Sequence, residues 1–174
     1  MKKINFSTIS KLSLVLVILF GVAGCGREEK VSPLSSKKYD AIAYNSEESD
    51  EIFSSFMIEI VSEYGLHRDN FSDYIKKHEK ELDDGKSFSD FDDYETELDG
   101  YYKWCYQVMN FDTDKVPSEY VAAWNRLKEI ATYSKDCMNK MYDCDQEERN
   151  LIIQEMSVKV TNDLNNIVGL ISLP

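Results

Sequence analysis

From Ser46 almost to the C-terminus, apolar residues recur every three or four positions and polar residues fill the gaps. Ile52, Phe53, Phe56, Met57, Ile60, Val61 and Tyr64 follow this rhythm and predict a first helix, which Gly65 is expected to end. A second, shorter helix over residues 69–84 carries Phe71, Tyr74, Ile75 and Leu82 and stops at Gly85. A third begins near Ser89. Its Phe91, Tyr94, Leu98, Tyr101, Cys105 and Val108 alternate steps of three and four, the seam by which a helix lies along an antiparallel neighbour. Pro117 opens a fourth helix, because a proline in the first turn removes no needed hydrogen bond, and the seam there is Tyr120, Trp124, Leu127, Ala131, Ser134, Met138 and Met141. The fifth starts at Asp145, with Glu148 three residues on as a capping box, and buries Ile152, Ile153, Met156, Val160, Leu164, Ile167 and Ile171. No strand pattern competes after residue 46, and no internal repeat is visible. Short connections make successive helices antiparallel, so the expected fold is all-α: an up-and-down bundle of four long helices plus one short helix over residues 47–174.

The third and fourth helices form a hairpin centred near residue 114, which places Trp104 and Trp124 at one level as core anchors. Residues 101–106 carry aromatics at Tyr101, Tyr102, Trp104 and Tyr106. These point around most of a helix, and one seam cannot bury them all. Tyr102 and Tyr106 are therefore the expected exposed or groove-lining pair and the candidate binding surface.

The N-terminal pattern differs in kind. Lys2, Lys3 and Lys11 flank a run from Leu12 to Phe20 that is too short to span a bilayer, since the hydrocarbon core needs about 20 apolar residues as helix. It ends in Val22-Ala23-Gly24-Cys25, which resembles the lipobox of bacterial lipoprotein precursors. The competing readings are an ordinary secretory signal and an uncleaved anchor. The resemblance implies that residues 1–24 are a signal peptide, that Cys25 becomes the mature N-terminus, and that its sulfur carries a diacylglyceryl group. Acyl chains such as palmitate would then hold the protein at the extracytoplasmic face of the cell membrane. One chain binds marginally at about 0.8 kcal/mol per buried methylene, and two make attachment durable.

Residues 25–46 read as a flexible tether, rich in Ser, Lys and Glu and interrupted by Pro33, long enough to hold a domain on the order of 25 Å from the surface. The alternative is that residues 39–44 lie on the domain as an extended strip. Removing residues 1–24 takes three lysines and no acid, which leaves 17 basic against 32 acidic residues and a net charge of −15. Such a surface repels phosphate backbones and anionic headgroups, so nucleic acid is excluded as a partner and the lipid must do the anchoring.

The other cysteines are Cys105, Cys137 and Cys144. Export permits disulfides, but three thiols cannot all pair within one chain. Cys137 and Cys144 flank the turn between the fourth and fifth helices and are the favoured pair if the helix frays before Met141; if it continues, about 10 Å separates them. Cys105 fits a free core thiol.

Catalytic signals are weak. His67 and His78 show no metal-ligand spacing, a Cys105/His78 nucleophile pair has nothing to bring it together, and residues 90–95 and 111–114 lack the glycine and terminal glutamate of a calcium loop. The expectation is a non-enzyme without metal or cofactor. Two function classes remain: a non-catalytic interaction module for an envelope or surface protein, and a receptor for a small ligand or cation in an aromatic interhelical pocket. A cavity among Tyr101, Tyr102, Tyr106 and Trp124 favours the receptor, and a filled core favours the module. With its lipobox and its Pro117-Ser118-Glu119-Tyr120 helix opening, the chain resembles small helical lipoproteins of low-GC Gram-positive bacteria, a resemblance that implies no activity.

Overall fold

The computed structural model describes residues 30–44 and 50–171. Among them are α1 (Asp50–Lys77), α2 (Glu79–Asp83), α3 (Tyr94–Asn110), α4 (Val121–Met141) and α5 (Gln146–Ile171), and no strand. The four long helices form an antiparallel bundle. α1 packs on α3, α3 on α4 and α4 on α5, while α5 touches α1 only lightly.

The helix boundaries depart from expectation first at Gly65, through which α1 runs without a break. Phe53, Met57, Ile60, Tyr64, Phe71 and Tyr74 are all buried, and His67 fills the empty step between Tyr64 and Phe71, so one three-four seam crosses the glycine. A glycine inside a helix costs about 1 kcal/mol against alanine, less than the burial of Phe71 and Tyr74 returns. The predicted second helix thus divides into the end of α1 and the single turn α2. That turn closes with Gly85 at φ 94° and with bonds from Gly85 N to Leu82 O and from Lys86 N to Glu81 O, a Schellman arrangement.

The start of α5 follows the pattern read from sequence, with Asp145 Oδ1 accepting from the Glu148 backbone N at 2.9 Å. The α3 and α4 starts lie later than expected, because short 3₁₀ turns precede them at Phe88–Asp90 and Ser118–Tyr120. The second of these turns lengthens the α3–α4 connection and shifts the hairpin register. Tyr102 meets Asn139 and Phe111 packs on Trp124 at 4.5 Å, so the two tryptophans occupy different levels. Trp104 packs on Tyr64 and donates from Nε1 to Ile60 O, whereas Trp124 lies among Phe53, Phe56 and Phe111. Both indoles are buried, as expected of core anchors.

Residues 30–44 do not behave as a flexible tether. They form a strap along the whole bundle, with a 3₁₀ turn at Pro33–Ser36 packed on α3 and the Leu34 side chain fully buried. At one end Lys30 N donates to Asp143 Oδ2, and at the other Tyr44 packs among Phe53, Phe56 and Phe111. No helix among the described residues is long and apolar enough to cross a membrane.

Candidate functional site

Of the residues singled out from sequence, Cys25 lies outside the described residues. The tyrosine pair is placed differently from expectation, because the strap supplies the second surface that one helix seam could not. Tyr102 is buried, and its hydroxyl donates to Asn139 Oδ1 at 2.8 Å and lies 3.4 Å from Ser32 Oγ. Tyr106 is half-buried; it donates to Ser35 O at 2.7 Å, and its ring stacks on Tyr39 at 5.5 Å. The face proposed as an open binding surface is therefore roofed by the chain itself. Burial pushes the Tyr102 phenol up to about 12, so it stays protonated and serves as a donor.

The strap is pinned by charge as well as by packing. Asp99 on α3 accepts from Lys37 Nζ and from Tyr39 Oη, the latter at 3.0 Å. The Lys37 ammonium, aided by the Tyr39 hydroxyl, holds the Asp99 carboxyl below its ordinary value. The local signal for this segment was its spaced Leu34, Tyr39, Ile42 and Tyr44, which all pack on the core. Over so few residues, the Ser and Lys around them gave the stretch the composition of a linker.

The expected Cys137–Cys144 disulfide is absent: Cys105, Cys137 and Cys144 are all free thiols. α4 continues through Met141, so the fraying that would bring the pair together does not occur. Cys144 instead directs its Sγ toward Met141 O at 3.6 Å. Burial raises all three thiols, Cys144 to about 11, which leaves them poor nucleophiles at neutral pH.

Two polar assemblies escaped sequence reading. At the turn between α1 and α3, Asp93 accepts from Tyr74 Oη at 3.1 Å and Lys77 Nζ at 2.5 Å and lies 3.3 Å from His78 Nε2, while the His78 ring stacks on Phe91 at 4.1 Å. Lys77 chiefly holds the Asp93 carboxyl low. This constellation joins the end of α1 to the N-terminus of α3, where a carboxylate also meets the helix dipole. The second is Arg149 on α5, 2% exposed, which donates to Leu82 O at 3.0 Å and Lys86 O at 3.2 Å and lies over the Phe88 ring. It caps carbonyls at the end of α2 and ties that turn to the bundle.

Among the described residues, Tyr102, Tyr106 and Trp124 line neither of two open clefts of about 250 to 280 Å³. One, about 280 Å³, separates the start of the strap from the end of α4 and is lined by Lys30, Ser32, Asn139 and Asp143. The other, about 250 Å³, follows the loose α1–α5 edge between Phe71, Ile75, Ile153, Met156 and Val160, with Arg68 at its rim. Tyr64, Tyr101 and Ser134 keep buried hydroxyls that make no hydrogen bond, and burial raises both phenols. Among the described residues no group of three or more His, Cys, Asp or Glu side chains is arranged to hold a metal ion.

Comparison with protein-family models, with curated proteins and with solved structures finds no match for this chain.

Proposed function

We propose that this chain is a lipid-anchored protein of the extracytoplasmic membrane face whose helical domain is a non-catalytic module for binding an envelope or surface protein. The observation that carries the choice of module over receptor is the filled aromatic region. Trp124 stacks on Phe56 and packs on Phe111, and Tyr102 and Tyr106 are closed under the strap, so these aromatics pack on one another and on the strap. What stays exposed is aliphatic: Leu151 and Val158 lie seven residues apart on the outer face of α5, beside Tyr133 in a shallow depression. A helix face with paired aliphatics and a charged border suits a protein partner.

The lipid anchor rests on the lipobox sequence ending at Cys25. Growth with a labelled fatty acid tests it. The wild-type protein is expected to take up label, and Cys25→Ser to lose both label and stable membrane attachment while remaining folded; label retained by the substituted protein would end the lipoprotein reading. A photoreactive amino acid at Val158 tests the module, with one discrete protein adduct expected in cells and none when it is placed at the exposed Glu147.

The α1–α5 cleft supports a second reading, a small apolar ligand with an anionic group facing Arg68. Trp104 packs on Tyr64, which lines that cleft, so its fluorescence would report an occupant such as octanoate.

A further inference from the structure

The strap carries an inference that rests on the lipid-anchor reading. Lys30 is fixed at one end of the bundle: its backbone N donates to Asp143 in the α4–α5 turn, and its Nζ lies 3.3 Å from Ser89 Oγ and 3.8 Å from Asp90 in the loop before α3. Only four residues separate Lys30 from Cys25, and the five steps of extended chain between them cover at most about 17 Å. The opposite end, built from the α3–α4 connection and the start of α1, lies ~30 Å further along the 21-residue α4.

We propose that this domain stands end-on above the membrane, with the α4–α5 turn and the α2–α3 loop toward the lipid and the α3–α4 connection outward. Attachment at one end would by itself also allow the bundle to lie flat. Charge decides against that. The part beyond the signal sequence carries −15 against an anionic lipid surface, and a rod hinged at one end lowers its repulsion by lifting the free end. The Debye length is about 8 Å at physiological ionic strength, so the repulsion acts on whatever part of the bundle comes within about that distance of the headgroups. A bundle lying flat would bring its whole length there. The surface offered to a partner is then the far end and the upper flank of the helices, where Ile52 and Val121 are exposed.

The test uses residues 25–174 with a diacyl lipid attached chemically at Cys25, in vesicles of equimolar phosphatidylglycerol and phosphatidylcholine that carry an acceptor-labelled lipid. A fluorescent amino acid replaces Glu147, exposed at the near end, or Ser118, exposed at the far end. Energy transfer from Glu147 is expected to exceed that from Ser118 by at least about twofold, as ~30 Å of helix rise implies. Inserting 20 Gly and Ser residues between Glu29 and Lys30, a flexible reach of about 25 Å, leaves the fold untouched and should bring the two efficiencies together. Equal transfer from both ends without the insertion, or a difference that persists with it, would overturn the proposal. Because the lipid is attached chemically, a clear difference in vesicles combined with no fatty-acid label in cells would overturn the lipid-anchor reading alone.

Discussion

Gly100 shows how a single position can depend on a neighbour that sequence does not place beside it. A Cβ built there would meet His67 Cε1 at 2.9 Å, and the His67 ring is stacked on Tyr101. Alanine favours a helix over glycine by about 1 kcal/mol, yet forcing an atom into a packed contact costs about 1 to 3 kcal/mol. Gly100→Ala is therefore expected to lower the melting temperature in the natural protein and to raise it when His67 is already alanine. A melt of the four members of this cycle checks the sign reversal, and a gain in both backgrounds would mean that the ring moves freely. The same limit explains Tyr102. Its position on α3 was legible from periodicity, but its partner Asn139 and its cover Ser32 lie 37 and 70 residues away. A one-helix count could see only that the aromatics outnumbered one seam.

At the scale of elements, the four long helices and their order were legible because each carries a three-four seam, and even the misplaced stop at Gly65 left that seam visible from Phe53 to Tyr74. What was not legible is how the joints are fastened. Arg149 follows the capping box of α5 and reads as a charged residue of a first turn, yet its guanidinium is buried against the carbonyls of Leu82 and Lys86. Nothing in the local pattern identifies a cation that bonds main-chain oxygens more than 60 residues away. Arg149→Met keeps much of the apolar stem but takes away the guanidinium donor to Lys86 O and one donor to Leu82 O, which retains its bond from Gly85 N. It leaves one carbonyl short, at a cost of about 1 to 3 kcal/mol. The expected outcome in denaturant is a loss of about 1 to 3 kcal/mol, with α2 and the following loop losing amide protection first. Arg149→Lys should recover only part of it, since one ammonium cannot span both carbonyls as the planar fork does. A loss confined to a few tenths of a kcal/mol would make Arg149 a bystander.

For the whole molecule, acid acts in opposing directions. Burial holds His67 below its ordinary value of 6.5, so the unfolded chain takes up that proton first as pH falls, and the stability it contributes is present above about pH 6.5 and is lost below it. Asp93 and Asp99 are held low by Lys77 and Lys37, so their contribution is present above the ordinary value of 3.8 and disappears only as pH falls through their lower folded values. Protonating the other carboxylates meanwhile relieves the repulsion of a chain with net charge −12. The difference between wild type and His67→Gln cancels that shared relief. The wild-type protein is expected to lose stability relative to the variant between about pH 7 and pH 5.5, measured by thermal melts, and a constant difference would mean that His67 is not held neutral.

The strap makes the physical unit of this molecule larger than the helices. Leu34 is fully buried and Tyr102 loses its cover without residues 30–44, although the composition of that stretch placed the domain boundary near residue 46. Burying a leucine side chain is worth about 1.5 to 3 kcal/mol, and the stacked Tyr39–Tyr106 pair adds about 1 kcal/mol, whereas the exposed Lys37–Asp99 pair adds little. Ordering a strap of 15 residues opposes these gains with backbone entropy, so the net effect is far smaller than the gross burial. Residues 46–174 alone are expected to fold but to melt below residues 26–174, and their Tyr102 and Tyr106 should become accessible to nitration. Adding a separate peptide of residues 26–45 should restore part of the protection. Identical melting temperatures and identical tyrosine reactivity in the two lengths would return residues 30–44 to the role of a tether, and with it remove the fixed end on which an end-on bundle depends.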